Sequence, residues 1–233
     1  MSENLERVEC IAFDADDTLW INETYFREAE VAFCDLVADF APREDAMRQL
    51  TEMELGNMPI YGYGIKAFTL SMIEAAIKIS DGKVSTTTTN QIISICKDML
   101  HKPVDVLPDV EQVLTQLQGK FRLIVATKGD LLDQERKLKK SGLEKYFDHF
   151  EVLSEKKPDD YRKLVRHLDL EPEKFLMIGN SVKSDILPVI EIGGFAVHIP
   201  FHTTWAHEVA EPPSDHTKFK ALDGVGDLLP LLL

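Results

Sequence analysis

The chain has 233 residues, 44% of them hydrophobic, and a formal net charge of −14, which suits one sizeable core plus a smaller accessory domain and excludes a disordered chain. That charge would repel a nucleic-acid backbone over the whole surface, whereas a small anionic substrate needs no more than a local positive pocket. Cys10, Cys34 and Cys96 lack any Cys-x-x-Cys spacing, so neither a disulfide framework nor a thiolate zinc site is expected.

The stretch Met1–Glu9 is charged and has no signal-peptide core, and no apolar run reaches the length of a membrane span; the expectation is a soluble, cytoplasmic protein without membrane contact. Val8–Phe13 reads as a short buried strand that runs straight into the acidic cluster Asp14-Ala15-Asp16-Asp17. From Ile21 to His101 the apolar spacing is helical, as in Phe26, Val31, Phe33, Leu36 and Val37, then Ile65–Ile79, then Ile92–Leu100. Within this region Tyr61-Gly62-Tyr63-Gly64, followed by Lys66, reads as a packed helix turn, with substrate selection as the sharper alternative. The run from Ser85 to Asn90 reads as a connection, although Ser, Thr and Asn also suit a helix N-cap.

The alternating pattern resumes near Pro103–Pro108. A helix over Val110–Leu117 precedes a strand over Phe121–Ala126 that leads into Thr127-Lys128-Gly129. Leu131–Lys140 follows as a helix ending at Gly142, with Arg136-Lys137-Leu138-Lys139-Lys140 as its wet face. Phe150–Leu153 leads into Ser154-Glu155-Lys156-Lys157, Tyr161–Leu168 is helical, Phe175–Ile178 leads into Gly179-Asn180-Ser181, and Phe195–Ile199 leads into Pro200. His198, His202, His207 and His216 lack helical His-x-x-x-His spacing and are read as structural or surface groups. The alternation predicts an α/β protein with a Rossmann-like three-layer core and parallel sheet over 1–20 and 102–233, plus a smaller α-helical cap domain over 21–101. Every polar cluster falls after a strand, where such sheets bind ligands.

Asp14 directly follows a buried run, so its charge needs a cation or hydrogen-bond donors to be tolerated there. Mg2+ suits such hard oxygen ligands. Asp14-Ala15-Asp16-Asp17-Thr18, Thr127 after Leu123–Ala126, Lys157-Pro158, and Gly179-Asn180-Ser181-Val182-Lys183-Ser184-Asp185 occur in that order, each at a strand end. Together they resemble the four motifs of the haloacid dehalogenase (HAD) superfamily, with the helical insertion in the position of that family's cap.

The resemblance implies a Mg2+-dependent phosphomonoesterase acting on a small phosphorylated metabolite. Asp14 would be the nucleophile, Asp16 the acid and base with its backbone carbonyl on the metal, and Thr127 and the amide of residue 128 the phosphoryl holders. Lys157 would be the charge-neutralising lysine, with Lys156 a solvated neighbour. Asp14, Asp16, Asn180 and Asp185 would form the metal site, and Thr18, Lys128 and Gly129 the further substrate contacts. Asn180 stands where the family often has Asp. Lys128 stands where Asn is common, as either a second anion contact or an exposed loop lysine. Asp16 argues against halide displacement, which needs no leaving-group protonation; a phosphomutase or a fold-retaining regulatory protein are the other readings. The sequence leaves the oligomeric state open.

Overall fold

A computed structural model describes residues 5–233, so the first four residues of the charged amino-terminal stretch lie outside the described residues. By residue contacts the chain falls into two compact units. One holds the chain up to Glu23, Val104–Lys128 and Arg136–Leu233, and the other holds Thr24–Pro103 and Gly129–Glu135.

The first unit is built on six strands: β1 (Cys10–Phe13), β2 (Arg122–Lys128), β3 (His149–Leu153), β4 (Phe175–Gly179), β5 (Phe195–His198) and β6 (Phe219–Ala221). All pair in parallel in the order β3-β2-β1-β4-β5-β6. β6 was not expected: its three residues are too few to show a period. Strands buried on both faces read as continuous apolar runs, and β1 is buried along its whole length.

Successive side chains go to opposite layers. Ile11 and Phe13 pack with Leu123, Val125, Leu176 and Ile178, and with Val113, Leu114 and Leu117 of a helix over Val110–Leu117. Cys10 and Ala12 join Ile124, Ala126, Met177, Leu164 and Val165 on the other layer, where a helix over Pro158–His167 lies. The three cysteines are buried free thiols; burial pushes Cys10 up to about 12, so it is inert packing material.

β1 is the switch point of this topology. From it the chain builds β2 and β3 on one side, while β4, β5 and β6 extend the other, and the crevice at such a point receives ligands. The segments entering and leaving the insertion pair with each other: Ile21 N–H donates to Asp105 O and Leu107 N–H to Leu19 O, both at 2.9 Å.

With the helices numbered in chain order, the second unit holds α1 (Glu23–Leu36) from its second residue on, α2 (Arg43–Tyr61), α3 (Ile65–Ile79) and α4 (Thr86–His101). Phe33, Leu50, Phe68, Met72 and Ile92 form its interior. The reading of Ser85–Asn90 as a connection is corrected here. Ser85 is the N-cap of α4, its hydroxyl accepting from Thr88 N–H, so the threonines form the first helical turn because the cap satisfies an otherwise orphaned donor. Tyr61 ends α2 and donates to Glu74 Oε1 at 2.7 Å. Lys66 pairs with Asp130 at 2.8 Å. The remaining helices are α5 (Val110–Leu117), α6 (Leu131–Ser141), α7 (Pro158–His167), α8 (Leu187–Glu191) and α9 (Leu228–Leu232). Among the described residues no helix is long and apolar enough to cross a membrane.

Candidate active site

Parallel register places the site within the first unit. Phe13 aligns with Val125 on β2 and with Ile178 on β4, so Asp14, Thr127 and Asn180 all follow at the carboxyl ends of adjacent strands. Asp14 is buried, and its N–H donates to Ile178 O at 2.8 Å. Its carboxylate Oδ1 accepts from Lys156 Nζ at 2.5 Å, and the same ammonium donates to Asp185 Oδ1 at 2.6 Å.

Lys156 therefore stands between two carboxylates, and its side chain is 2% exposed. This corrects the choice of Lys157. The Lys157 side chain is 70% exposed and faces Glu155 at 3.9 Å, because Lys157 is the N-cap of α7 and Pro158 its first residue. The Lys-Pro pair marks a helix start, and the residue before that cap is the one aimed inward.

Burial pushes Asp14 up to about 7, against the opposing pull of Lys156 and with Asp185 adding to the rise. Burial alone would depress Lys156. The charges of Asp14 and Asp185 outweigh it and hold the ammonium well above the usual lysine range.

Asp185 is completely buried, and its Oδ2 accepts from Ser181 N–H at 3.0 Å. Residues Val182–Ile186 form one π-helical turn, a widened turn frequent at functional sites. Gly179 makes room for it: a Cβ there would lie 2.2 Å from Asp185 Oδ2. Asp185, assigned to the metal shell from its motif, has both oxygens committed to Lys156 and Ser181.

The oxygens gathered around Asn180 are different ones. One end of its side-chain amide lies 3.2 Å from Asp16 O and 3.2 Å from Asp14 Oδ2. With nitrogen there, the amide donates to both. With oxygen there, it stands from each of two other hard oxygens at nearly the roughly 3 Å spacing of neighbouring ligands in an octahedral Mg2+ shell. Thr18, expected to touch substrate, is instead buried and its hydroxyl donates to Asn180 Oδ1 at 3.3 Å. His198, a structural group, meets Asn180 O at 3.0 Å through Nε2.

The acidic cluster divides its work. Asp17 has φ 60°, and its carboxylate accepts from the N–H groups of Asn22 and Glu23, while burial pushes it up to about 7. Asp16 is less enclosed, and its Oδ1 accepts from Trp20 Nε1 at 2.8 Å and from Lys137 Nζ at 2.5 Å. Lys137 thus leaves the wet-face reading of the basic run: its side chain is 15% exposed and its ammonium also donates to Asn22 Oδ1. In the sequence it was one of four cations in five residues, and nothing local distinguished it.

Thr127 is buried at the end of β2. Gly129 has a backbone reason for being glycine: φ 137°, with an added Cβ 3.0 Å from Gln134. Lys128 matches neither of its readings. It donates to Glu208 Oε1 at 2.7 Å and to Ser184 Oγ at 3.0 Å, so its charge is neutralised within the protein. Glu208 was not anticipated, because it lies 80 residues from Lys128 in a stretch without periodicity. It also accepts from the hydroxyls of Ser181 and Ser184.

Burial tends to raise Glu208, but Lys128 and the two hydroxyls outweigh it and bring it from 4.5 down to about 2. A carboxylate lowered on folding contributes stability above its unfolded value, lost as pH falls through its folded one. Glu208→Gln is therefore expected to cost up to ~3 kcal/mol at neutral pH. In urea unfolding the gap to wild type should narrow as pH drops from 4.5 towards 2. A gap independent of pH would remove the ion pair as its source.

Comparison with known proteins agrees with this fold. A family model described as haloacid dehalogenase-like hydrolase matches residues 8–193. The chain belongs to the haloacid dehalogenase-like hydrolase family, and it is a hydrolase. A crystal structure of a haloacid dehalogenase-like family hydrolase from Xanthomonas campestris is 33% identical with a TM-score of 0.86, over 97% of this chain and 92% of that one. The glyceraldehyde 3-phosphate phosphatase of Methanothermobacter thermautotrophicus is 25% identical over 227 residues, 93% of each chain. The pyrimidine 5'-nucleotidase YjjG of Escherichia coli is 24% identical over 194 residues, 78% of this chain and 82% of that protein.

Proposed function

We propose that the protein is a Mg2+-dependent phosphomonoesterase that works through a phosphoryl group carried on Asp14, with a small phosphorylated metabolite as substrate. The observation that carries this reading is the convergence of Asp14 Oδ2, Asp16 O and Asn180 on one side of Asp14, with Lys156 on its other oxygen. The relatives named above as a phosphatase and a nucleotidase support the substrate class.

Asp14 Oδ2, Asp16 O and Asn180 Oδ1 would hold the cation, an all-oxygen set suited to Mg2+. When bound, the cation supplies positive charge against the phosphoryl oxygens. Asp14 attacks phosphorus and the bond to the leaving oxygen breaks. Asp16 gives that oxygen a proton, then takes one from the water that cleaves the acyl phosphate, so phosphate leaves and both carboxyl groups are restored. Lys156 and the hydroxyl of Thr127 stabilise the transferring charge. Lys137 and Trp20 hold the Asp16 carboxylate in one orientation. Asp16 also separates phosphate from halide chemistry, since halide departs without a proton.

The test is hydrolysis of an aryl phosphate. EDTA should abolish turnover and added Mg2+ should restore it. Metal-independent turnover, or none across a broad panel of phosphomonoesters, would overturn the proposal.

A further inference from the structure

The geometry points to a second metal site, a two-histidine, one-carboxylate site of the zinc class formed by His149, Glu151 and His167 at the open edge of the sheet. It is independent of the phosphatase reading. β3 is the edge strand, and its residues 149 and 151 share a face because side chains alternate. Register identifies that face: His149 aligns with Ile124 and Glu151 with Ala126, both in the layer covered by α7. The ten residues of α7 return ~15 Å, about the length of the five-residue strand at ~3.3 Å per residue. Its last residue, His167, is thereby brought back beside the start of β3.

The three side chains meet. His149 Nε2 lies 2.8 Å from Glu151 Oε2, the two imidazole rings are 5.7 Å apart at 39°, and one ligand atom from each residue lies within 4.8 Å of the others. A tetrahedral zinc shell needs ligand atoms ~3.3 Å apart. His149 and Glu151 are already about that close, and the exposed His167 at a helix end closes the rest by side-chain rotation. Two imidazoles and one carboxylate are the borderline N/O donors that zinc selects. The oxygen set beside Asp14 favours Mg2+, so the two sites sort cations by donor chemistry. The bound cation would tie the edge strand to α7, its fourth position open to water.

Calorimetric titration of the full chain with ZnCl2 in excess Mg2+ tests this. Wild type and Asp14→Asn, which removes a carboxylate of the Mg2+ set, should each bind one zinc at this site. His167→Ala, at an exposed position where folding is not at stake, should lose affinity at least ~10-fold, the lower end of what even an outer-shell change costs, and Glu151→Gln should do the same. Zinc bound equally well by His167→Ala, or no zinc bound by wild type, would overturn the site.

Discussion

Asp14→Asn is expected to lower aryl phosphate turnover by about 10⁴-fold or more, the scale on which loss of a nucleophile is felt. A carboxamide is nearly the same shape, so the loss would be chemical: its oxygen is uncharged and forms no acyl phosphate. Mass spectrometry of quenched wild-type enzyme should show a phosphoryl adduct that the variant lacks. Stability supplies an independent control. A carboxyl raised by burial to about 7 costs stability as pH rises from the ordinary Asp range through 7, because the unfolded chain ionises first. Above neutral pH the neutral variant should therefore be at least as stable as wild type. A fully active Asp14→Asn enzyme would sink the nucleophile assignment and the acyl-phosphate route with it.

The second large effect separates two adjacent lysines. Lys156→Met should reduce turnover by roughly 10²–10³-fold, as for removal of a preorganised donor at developing charge. It would also leave Asp14 and Asp185 buried together without the ammonium that both now share. Breaking a buried pair in this way costs ~3–5 kcal/mol, less whatever the two carboxylates recover by holding a proton between them. Lys157→Ala should stay within about twofold of wild type, because its exposed side chain faces Glu155 and not Asp14. Steady-state kinetics of both variants decide the matter. Reversed effects would return the neutralising role to Lys157 and contradict the burial pattern.

The pair of lysines also shows where the sequence stops being informative. Local features carried the fold far: apolar runs marked five of the six strands, and Asp14, Thr127 and Asn180 follow three of them because a parallel sheet brings its carboxyl ends together. Four motifs in order, each at a strand end, carried the resemblance to the haloacid dehalogenase superfamily, and the family match over residues 8–193 agrees with it. Side-chain direction was not legible. Pro158 announces a helix, but which neighbouring lysine turns inward depends on the cap geometry of α7. Lys137 looked like its neighbours in a basic helix face until the fold set it against Asp16.

Glu208 and the cluster of His149, Glu151 and His167 were hidden for a related reason. Glu208 lies 80 residues from Lys128, and His167 is carried back to β3 by α7, contacts that span tens of residues or less and leave no period in the sequence. The sequence by itself thus determined the layered α/β architecture and pointed to the acidic cluster at the end of β1, because burial and strand ends impose local patterns. The tertiary structure decided which charges face each other. A buried ion must find its partner in space, and its neighbours in the chain do not record where that partner lies.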